Sequence, residues 1–208
     1  EPWNNANLVA VVLPAVGVVD RLRRGARVAD VGCGAGGAVL RMAAEFPDSE
    51  FVGYDISAYA LARADERLRE SRLANARFVD PRKSPLPTNH SVDFVCTFDC
   101  IHDMTHPANV MAAIRAAQKD DGVWLLVDIK AHDGFALNAQ KNPMASLMYG
   151  ISVLSCMSSA LSTPDGAGLG TLGFSATTAE AMARAAGFSN FTRLDIDHSV
   201  NAFYVIRP

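Results

Sequence analysis

The 208-residue chain lacks a strongly basic segment, which would indicate a nucleic-acid partner, and a long uninterrupted apolar segment, which would indicate a membrane span. It has no dense run of Lys and Arg, and its formal net charge is −3. The nearest approach to a basic run, residues 21–24, suits the solvated end of a helix. Its longest apolar segment, residues 8–19, is interrupted by Pro14 and is shorter than the roughly 20 residues that span a bilayer. We therefore expect no nucleic-acid partner and no membrane anchor.

Cysteine is also scarce, with four residues in the chain. Cys96 and Cys100 are four positions apart, but no second Cys/His pair stands at the spacing of a zinc finger. We expect four reduced and mostly buried thiols in a reducing, cytoplasmic environment, and no metal site. A structural disulfide and a metal site are the alternatives.

Half of the residues are apolar and 20% are charged, which is typical of a single globular domain. The patterns predict an N-terminal helix over 1–24, a core of alternating strands and helices over 25–130, an insertion over 132–174 that covers the substrate site, and a C-terminal helix with a β-hairpin over 175–208.

The predicted strands are Val28–Val31, Phe51–Tyr54, Arg77–Val79, Val92–Phe98, Val123–Asp128, Phe191–Ile196 and Ala202–Ile206. The main predicted helices are Ala38–Phe46, Ala58–Arg72, Asn109–Lys119, Met144–Leu161 and Ala176–Ala186, with a turn at 120–122. This alternation predicts an α/β fold whose parallel sheet carries helices on both faces and ends in an antiparallel strand.

The most informative segment is residues 28–37, where an apolar strand runs into a glycine-rich turn. Asp55 ends the next apolar run, about 20 residues further on, as at nucleoside-containing cofactor sites. Glycines leave no Cβ between backbone and ligand, and the carboxylate can accept hydrogen bonds from two ribose hydroxyls. The turn fits both a dinucleotide pattern, G-x-G-x-x-G, and the pattern D-x-G-x-G-x-G that begins at Asp30.

Three features favour S-adenosylmethionine over a dinucleotide. Asp30 lies two residues before the turn, where its charge suits an amine and a sulfonium and opposes a pyrophosphate. Asp80 follows the third predicted strand and could accept a hydrogen bond from the adenine amino group. The terminal hairpin adds an antiparallel strand that a plain dinucleotide fold does not need, and the chain has no Tyr-x-x-x-Lys pair.

Four segments resemble the successive cofactor motifs of class I S-adenosylmethionine-dependent methyltransferases: residues 28–37, 53–57, 78–80 and 93–103. The resemblance implies a Rossmann-like, doubly wound sheet of seven strands, mostly parallel, with its last strand antiparallel. Residues 98–107, together with residues 168–170, resemble a subgroup that carries an N-terminal winged-helix or helical domain. Because the chain starts at Glu1 without Met, we expect such a domain to be missing here, and a homodimer is compatible with it.

The resemblance also implies roles for individual residues. Asp30 and the backbone of Gly32 and Gly34 would hold the methionine moiety, and Asp55 would bind the ribose diol. Phe98, at the end of the fourth strand, would face the reacting methyl group. The full set of expected cofactor-binding residues is Asp30, Gly32, Gly34, Asp55, Ile56, Val79, Asp80 and Phe98.

Methyl transfer is an in-line displacement in which much of the catalysis is positioning, and a general base helps where the acceptor is a hydroxyl or a protonated amine. His102, just past the fourth strand, is the candidate base; a packed helix-entry residue is the alternative. Tyr149, Ser152 and Cys156 stand about one helical turn apart and are candidates to line the acceptor site; packing of a lid helix is the alternative. The sequence thus predicts a methyltransferase with a small-molecule acceptor, the alternatives being a nicotinamide-dependent oxidoreductase and a non-catalytic regulatory module that binds S-adenosylmethionine.

Overall fold

A mixed sheet of seven strands forms the centre of the structure, a computed structural model that describes residues 2–208. The strands are β1 (Arg27–Val31), β2 (Glu50–Tyr54), β3 (Ala76–Val79), β4 (Val92–Phe98), β5 (Gln118–Ile129), β6 (Asn190–Arg193) and β7 (Asn201–Arg207). Their order is β3-β2-β1-β4-β5-β7-β6. The strands β1 to β5 pair in parallel, whereas β7 is antiparallel to both β5 and β6. The predicted fold class is confirmed.

The central strands are apolar on both faces because helices cover both faces of the sheet. In β4 every residue except Phe98 is buried. Alternate residues enter two separate cores: Phe94 belongs to one, and its neighbour Val95 to the other. This arrangement explains why the central strands read as continuous apolar runs in the sequence.

Ten α-helices surround the sheet in the described part of the chain. A π-helical segment, Leu8–Val12, joins the first two, and a 3₁₀ turn, Ile101–Asp103, follows β4. Ser57 caps α5 as its position suggests, since its Oγ accepts a hydrogen bond from the amide of Ala60 at 3.2 Å. The helices are α1 (Pro2–Asn7), α2 (Leu13–Val16), α3 (Val19–Arg23), α4 (Gly37–Glu45), α5 (Ala58–Ser71), α6 (Pro107–Ala117), α7 (Gly134–Lys141), α8 (Ala145–Leu154), α9 (Cys156–Ala160) and α10 (Ala176–Ala185).

The apolar run at residues 8–19 is part of the core. Leu8, Val12 and Leu13 are each at most 1% exposed and pack in the same core as β1 and β4. Within residues 2–208 no helix is both long enough and apolar enough to cross a membrane.

Two predictions for the ends of the core are wrong in detail. The single helix expected over 1–24, of which residue 1 lies outside the described residues, is interrupted at Gly17, which adopts a left-handed φ of +79° and ends α2. The turn expected at 120–122 lies within β5. There the register with β4 shifts between Val92 and Phe94, so the polar residues form a bulge instead of a connection.

The insertion and the last hairpin also differ from expectation. The helix expected over 144–161 is two helices, α8 and α9, separated at Ser155, whose φ of −130° and ψ of −73° are not helical. The Ser155 carbonyl accepts a hydrogen bond from the Ser158 hydroxyl at 2.6 Å, a local bond that competes with a continuous helix. The helix α7 was not expected, and β6 ends at Arg193 rather than at Ile196.

Candidate functional site

The glycine-rich turn between β1 and α4 lies at the carboxyl ends of the parallel strands, where ligands bind in such sheets. Gly34 and Gly36 adopt φ values of +53° and +75°, which favour glycine. A Cβ on Gly36 would lie 2.4 Å from the ring of Phe78, so this glycine lets the turn pack against β3. A Cβ on Gly34 would meet no described atom within 4 Å. The backbone at Gly34 therefore faces open space.

Asp55, at the end of β2, holds this turn in place. One carboxylate oxygen accepts a hydrogen bond from the amide of Gly34 at 2.8 Å, and the other accepts from the amide of Ser57 at 2.8 Å. A carboxylate has about four acceptor positions. Asp55 can therefore accept further hydrogen bonds from a ligand without releasing the turn.

Asp30 lies beneath the turn and is 2% exposed. Burial raises the pKa of Asp30 to about 7, partly opposed by a hydrogen bond with Cys96. Its Oδ1 is buried without a hydrogen-bond partner among residues 2–208. Such an orphaned oxygen beside an open turn fits a site for a cationic group, although Asp30 is not among the residues that line the cavities described below.

A cavity of about 640 Å³ adjoins the turn. Of the expected cofactor residues, Gly32, Asp55 and Ile56 line it, and the Ile56 side chain is 61% exposed. Asp103 lines the same cavity from the 3₁₀ turn. The remaining lining residues are Val31, Tyr54, Pro81, Pro85, Leu86, Cys100, Met104, Thr105, His106, Asn109, Val110, Ala113 and Ser159.

Asp80 is engaged by a residue that sequence reasoning missed. Arg82 Nη2 lies 2.7 Å from Asp80 Oδ2 and also donates to the Ile56 carbonyl at 2.8 Å. The hydrogen bonds from Arg82 lower the pKa of Asp80 to about 2. The Asp-x-Arg spacing in the sequence is the only signal that could have suggested this pair. A ligand amino group at Asp80 would have to share the carboxylate with Arg82.

Val79 and Phe98, both expected to contact the cofactor, are not among the residues that line the cavity beside the turn. The Val79 carbonyl accepts from the amide of Asp55 at 3.2 Å, so its backbone supports the site. Phe98 is half-buried and packs against the core. The next residue, Asp99, adopts a φ of +50° and binds the side-chain amide of Asn201; burial raises the pKa of Asp99 to about 6.

His102 is 3% exposed and stands at the centre of a polar cluster. Its Nδ1 lies 2.5 Å from Asp128 Oδ1 on β5, and its Nε2 lies 3.0 Å from Asp103 Oδ1. The same Nε2 lies 3.5 Å from Cys156 Sγ at the start of α9, and that sulfur lies 2.9 Å from Thr171 Oγ1. The structure thus brings together His102 and Cys156, which the sequence suggested for separate roles.

The two carboxylates determine the charge of His102. Burial alone would lower its pKa, but Asp103 and Asp128 outweigh burial and raise the pKa of His102 to about 11. In this arrangement the imidazole is protonated at neutral pH.

A second cavity, of about 490 Å³, lies between the insertion and the start of α10 and is lined only by residues within 132–178. Tyr149 and Ser152 line it, and the Tyr149 ring packs against Phe135 with ring centroids 5.1 Å apart. Cys156 is not among its lining residues. It is linked to Ser152 through Thr171, whose amide donates to Ser152 Oγ at 3.0 Å.

Comparison with known proteins agrees with this fold. A sequence model of the family described as "Methyltransferase domain" matches residues 22–160. The chain belongs to this family, as the sequence motifs suggested, and its seven-stranded sheet is that of class I S-adenosylmethionine-dependent methyltransferases. A search of curated proteins found no match.

Solved structures share the fold at low sequence identity. A putative O-methyltransferase from Nostoc punctiforme is 18% identical, with a TM-score of 0.69 over 99% of this chain and 59% of its own. The methyltransferase SibL, in its apo form, is 16% identical, with a TM-score of 0.67 over 99% of this chain and 56% of its own. Human N-acetylserotonin methyltransferase in complex with SAM is 16% identical, with a TM-score of 0.63 over 96% of this chain and 52% of its own. The chain therefore spans between half and three fifths of the length of these proteins.

Proposed function

We propose that this chain transfers a methyl group from S-adenosylmethionine to a small-molecule acceptor. The observation that carries the proposal is the arrangement at the glycine turn. Gly34 leaves open space above the backbone, Asp55 fastens the turn while keeping acceptor positions free, and the orphaned Oδ1 of Asp30 lies beneath.

Each part of the cofactor finds a group of suitable chemistry. The ammonium of the methionine moiety suits the Asp30 carboxylate, with the backbone of Gly32 and Gly34 alongside. The ribose hydroxyls suit Asp55, and the adenine suits the exposed Ile56 side chain. Asp80 would meet the adenine amino group beside Arg82, and contacts from Val79 and Phe98 stay predictions. When bound, S-adenosylmethionine supplies a methyl group already activated by a sulfonium.

The cavity lined by residues within 132–178 is the proposed acceptor site. Its volume of about 490 Å³ falls within the range usual for small-molecule pockets. Tyr149 and Phe135 offer an aromatic wall, and Ser152 offers a hydroxyl. These features favour a small acceptor that is at least partly aromatic.

His102 is the proposed catalytic residue, with one condition. A general base must be unprotonated, and the contact of Nε2 with Asp103 helps to keep the ring protonated. His102 lines neither of the two cavities, so an acceptor hydroxyl would have to displace Asp103 from Nε2 to reach it, and in doing so would remove that effect. Asp128, through Nδ1, would then hold the ring in one orientation.

Titration calorimetry of the purified chain with S-adenosylhomocysteine and, separately, with NADH tests the cofactor. We expect binding of S-adenosylhomocysteine and none of NADH; the opposite result would favour an oxidoreductase. Formation of S-adenosylhomocysteine in the presence of a panel of small phenols, amines and thiols then tests the reaction. Tight cofactor binding without turnover of any acceptor class would indicate a regulatory module instead.

A further inference from the structure

We propose that His102, Asp103 and Cys156 form a binding site for a divalent metal ion of the zinc type. Three ligand atoms of different chemistry converge there: His102 Nε2, Asp103 Oδ1 and Cys156 Sγ all lie within 4.8 Å of one another. They come from the 3₁₀ turn after β4 and from the start of α9. The proposal rests on these positions and does not depend on methyl transfer.

The spacing of the ligand atoms suits a tetrahedral ion. With ordinary zinc–ligand distances, a tetrahedral site places its nitrogen and oxygen ligands about 3.4 Å apart and its nitrogen and sulfur ligands about 3.6 Å apart. In the structure, His102 Nε2 lies 3.0 Å from Asp103 Oδ1 and 3.5 Å from Cys156 Sγ. The third pair, Asp103 Oδ1 and Cys156 Sγ, lies within 4.8 Å, against about 3.6 Å in a tetrahedral zinc site.

Asp103 supplies an independent indication. Its Oδ1 is buried and makes no hydrogen bond to any residue from 2 to 208, despite its 3.0 Å distance from His102. Its closest partner is the His102 ring, with which it forms an ion pair when the ring is protonated. An ion shared by the three ligand atoms would take the place of that ring charge as the partner of this oxygen.

The groups around the ligands have the arrangement found behind metal-bound histidines. Asp128 is 2% exposed and lies 2.5 Å from His102 Nδ1, which directs Nε2 toward the ligand position. Thr171 Oγ1, 2.9 Å from Cys156 Sγ, can donate a hydrogen bond to a thiolate. Metal-bound cysteine and histidine are deprotonated, so the thiol proton of Cys156 and one proton of the His102 ring leave when the ion binds.

The mixed donor set selects the kind of ion. Mg²⁺ and Ca²⁺ prefer sites made of oxygen atoms only, whereas Zn²⁺ accepts nitrogen, sulfur and carboxylate oxygen together. Three protein ligands leave one tetrahedral position for water or for a heteroatom of a substrate. An ion held there would occupy His102 Nε2, the atom that the proposed base uses, so the two roles of this nitrogen exclude each other.

Metal content of the purified full chain tests the site. We expect about one zinc ion per chain after incubation with zinc and gel filtration, and loss of that ion in Cys156→Ala and in His102→Ala. Cys96→Ala, which removes a buried thiol outside the cluster, should keep the ion. A wild-type chain that retains no zinc, or variants that retain as much as the wild type, would overturn the proposal.

Cobalt substitution tests the ligands in the unmodified chain, so the test survives if a variant fails to fold. A sulfur-to-cobalt charge-transfer band is expected in the wild type, because the proposed site contains a thiolate; cobalt bound without this band would contradict it. Asp128→Asn, checked for folding by circular dichroism, should weaken zinc binding about 10- to 100-fold. Calorimetry with S-adenosylhomocysteine on the zinc-free chain tests the proposed function separately, since cofactor binding there does not require the ion.

Discussion

The glycine turn and the His102 cluster are built in different ways. Gly34 and Asp55 are 21 residues apart and lie at the ends of two neighbouring strands that pair directly. His102 and Cys156 are 54 residues apart, and their contact depends on how the insertion folds over the sheet. The turn is therefore fixed by the core, whereas the cluster is sensitive to the position of the insertion, and the two should respond separately to mutation.

The largest expected effect is on the cluster. His102→Ala should lower turnover about 100- to 10,000-fold, the usual contribution of a positioned acid–base group, and should leave the affinity for S-adenosylhomocysteine unchanged. Steady-state kinetics and calorimetry on the same preparation measure the two quantities. A loss of cofactor affinity as large as the loss of turnover would show that the two regions are not separate.

The next effect concerns the pH dependence of stability. The folded-state pKa of Asp30, about 7, lies above its ordinary value of 3.8. The folded chain is therefore more stable with Asp30 neutral than with Asp30 ionised, and this extra stability is fully present below about pH 4. It is lost as the pH rises toward about 7. The loss amounts to at most about 4 kcal/mol.

Asp30→Asn should remove this pH dependence and, at pH 8, raise the free energy of unfolding of the cofactor-free chain. Denaturant unfolding at pH 5 and pH 8 measures it, with S-adenosylhomocysteine affinity as the matched readout. The substitution should weaken that affinity, because the carboxylate partner of the ammonium is gone. Unchanged pH dependence would show that Asp30 is not the titrating group.

A smaller effect is expected at Asp55. Asp55→Ala should weaken S-adenosylhomocysteine binding by about 1–3 kcal/mol, the scale of hydrogen bonds to a charged group. Asp48→Ala, which removes an exposed carboxylate at the opposite end of the sheet, is the matched control. Equal affinities of the two variants in calorimetry would remove Asp55 from the site.

The smallest effect is expected at Arg82. Arg82→Ala should free Asp80 for the adenine amino group and tighten S-adenosylhomocysteine binding by less than about tenfold, since exposed ion pairs contribute little. Calorimetry at two salt concentrations checks the result, because the wild type should approach the variant at high salt. Weaker binding by the variant would show instead that Arg82 itself contacts the cofactor.

The same contrast explains what could be predicted from the sequence. The strands around Gly34 and Asp55 were found because continuous apolar runs and a glycine turn are local signals, and the hairpin at the end of the sheet was found in the same way. The break at Ser155 was missed because the helix-like pattern of apolar residues continues on both sides of it. The contacts of His102 with Asp128 and Cys156 were missed because no local pattern shows which distant side chains meet.

A crystal structure of the chain with S-adenosylhomocysteine bound would show directly whether the glycine turn and Asp55 hold the cofactor. We expect the ribose hydroxyls on the Asp55 carboxylate and the homocysteine end over the backbone of Gly32 and Gly34, with its ammonium toward Asp30. A complex in which the nucleoside lies elsewhere, with Asp55 holding only the turn, would contradict it.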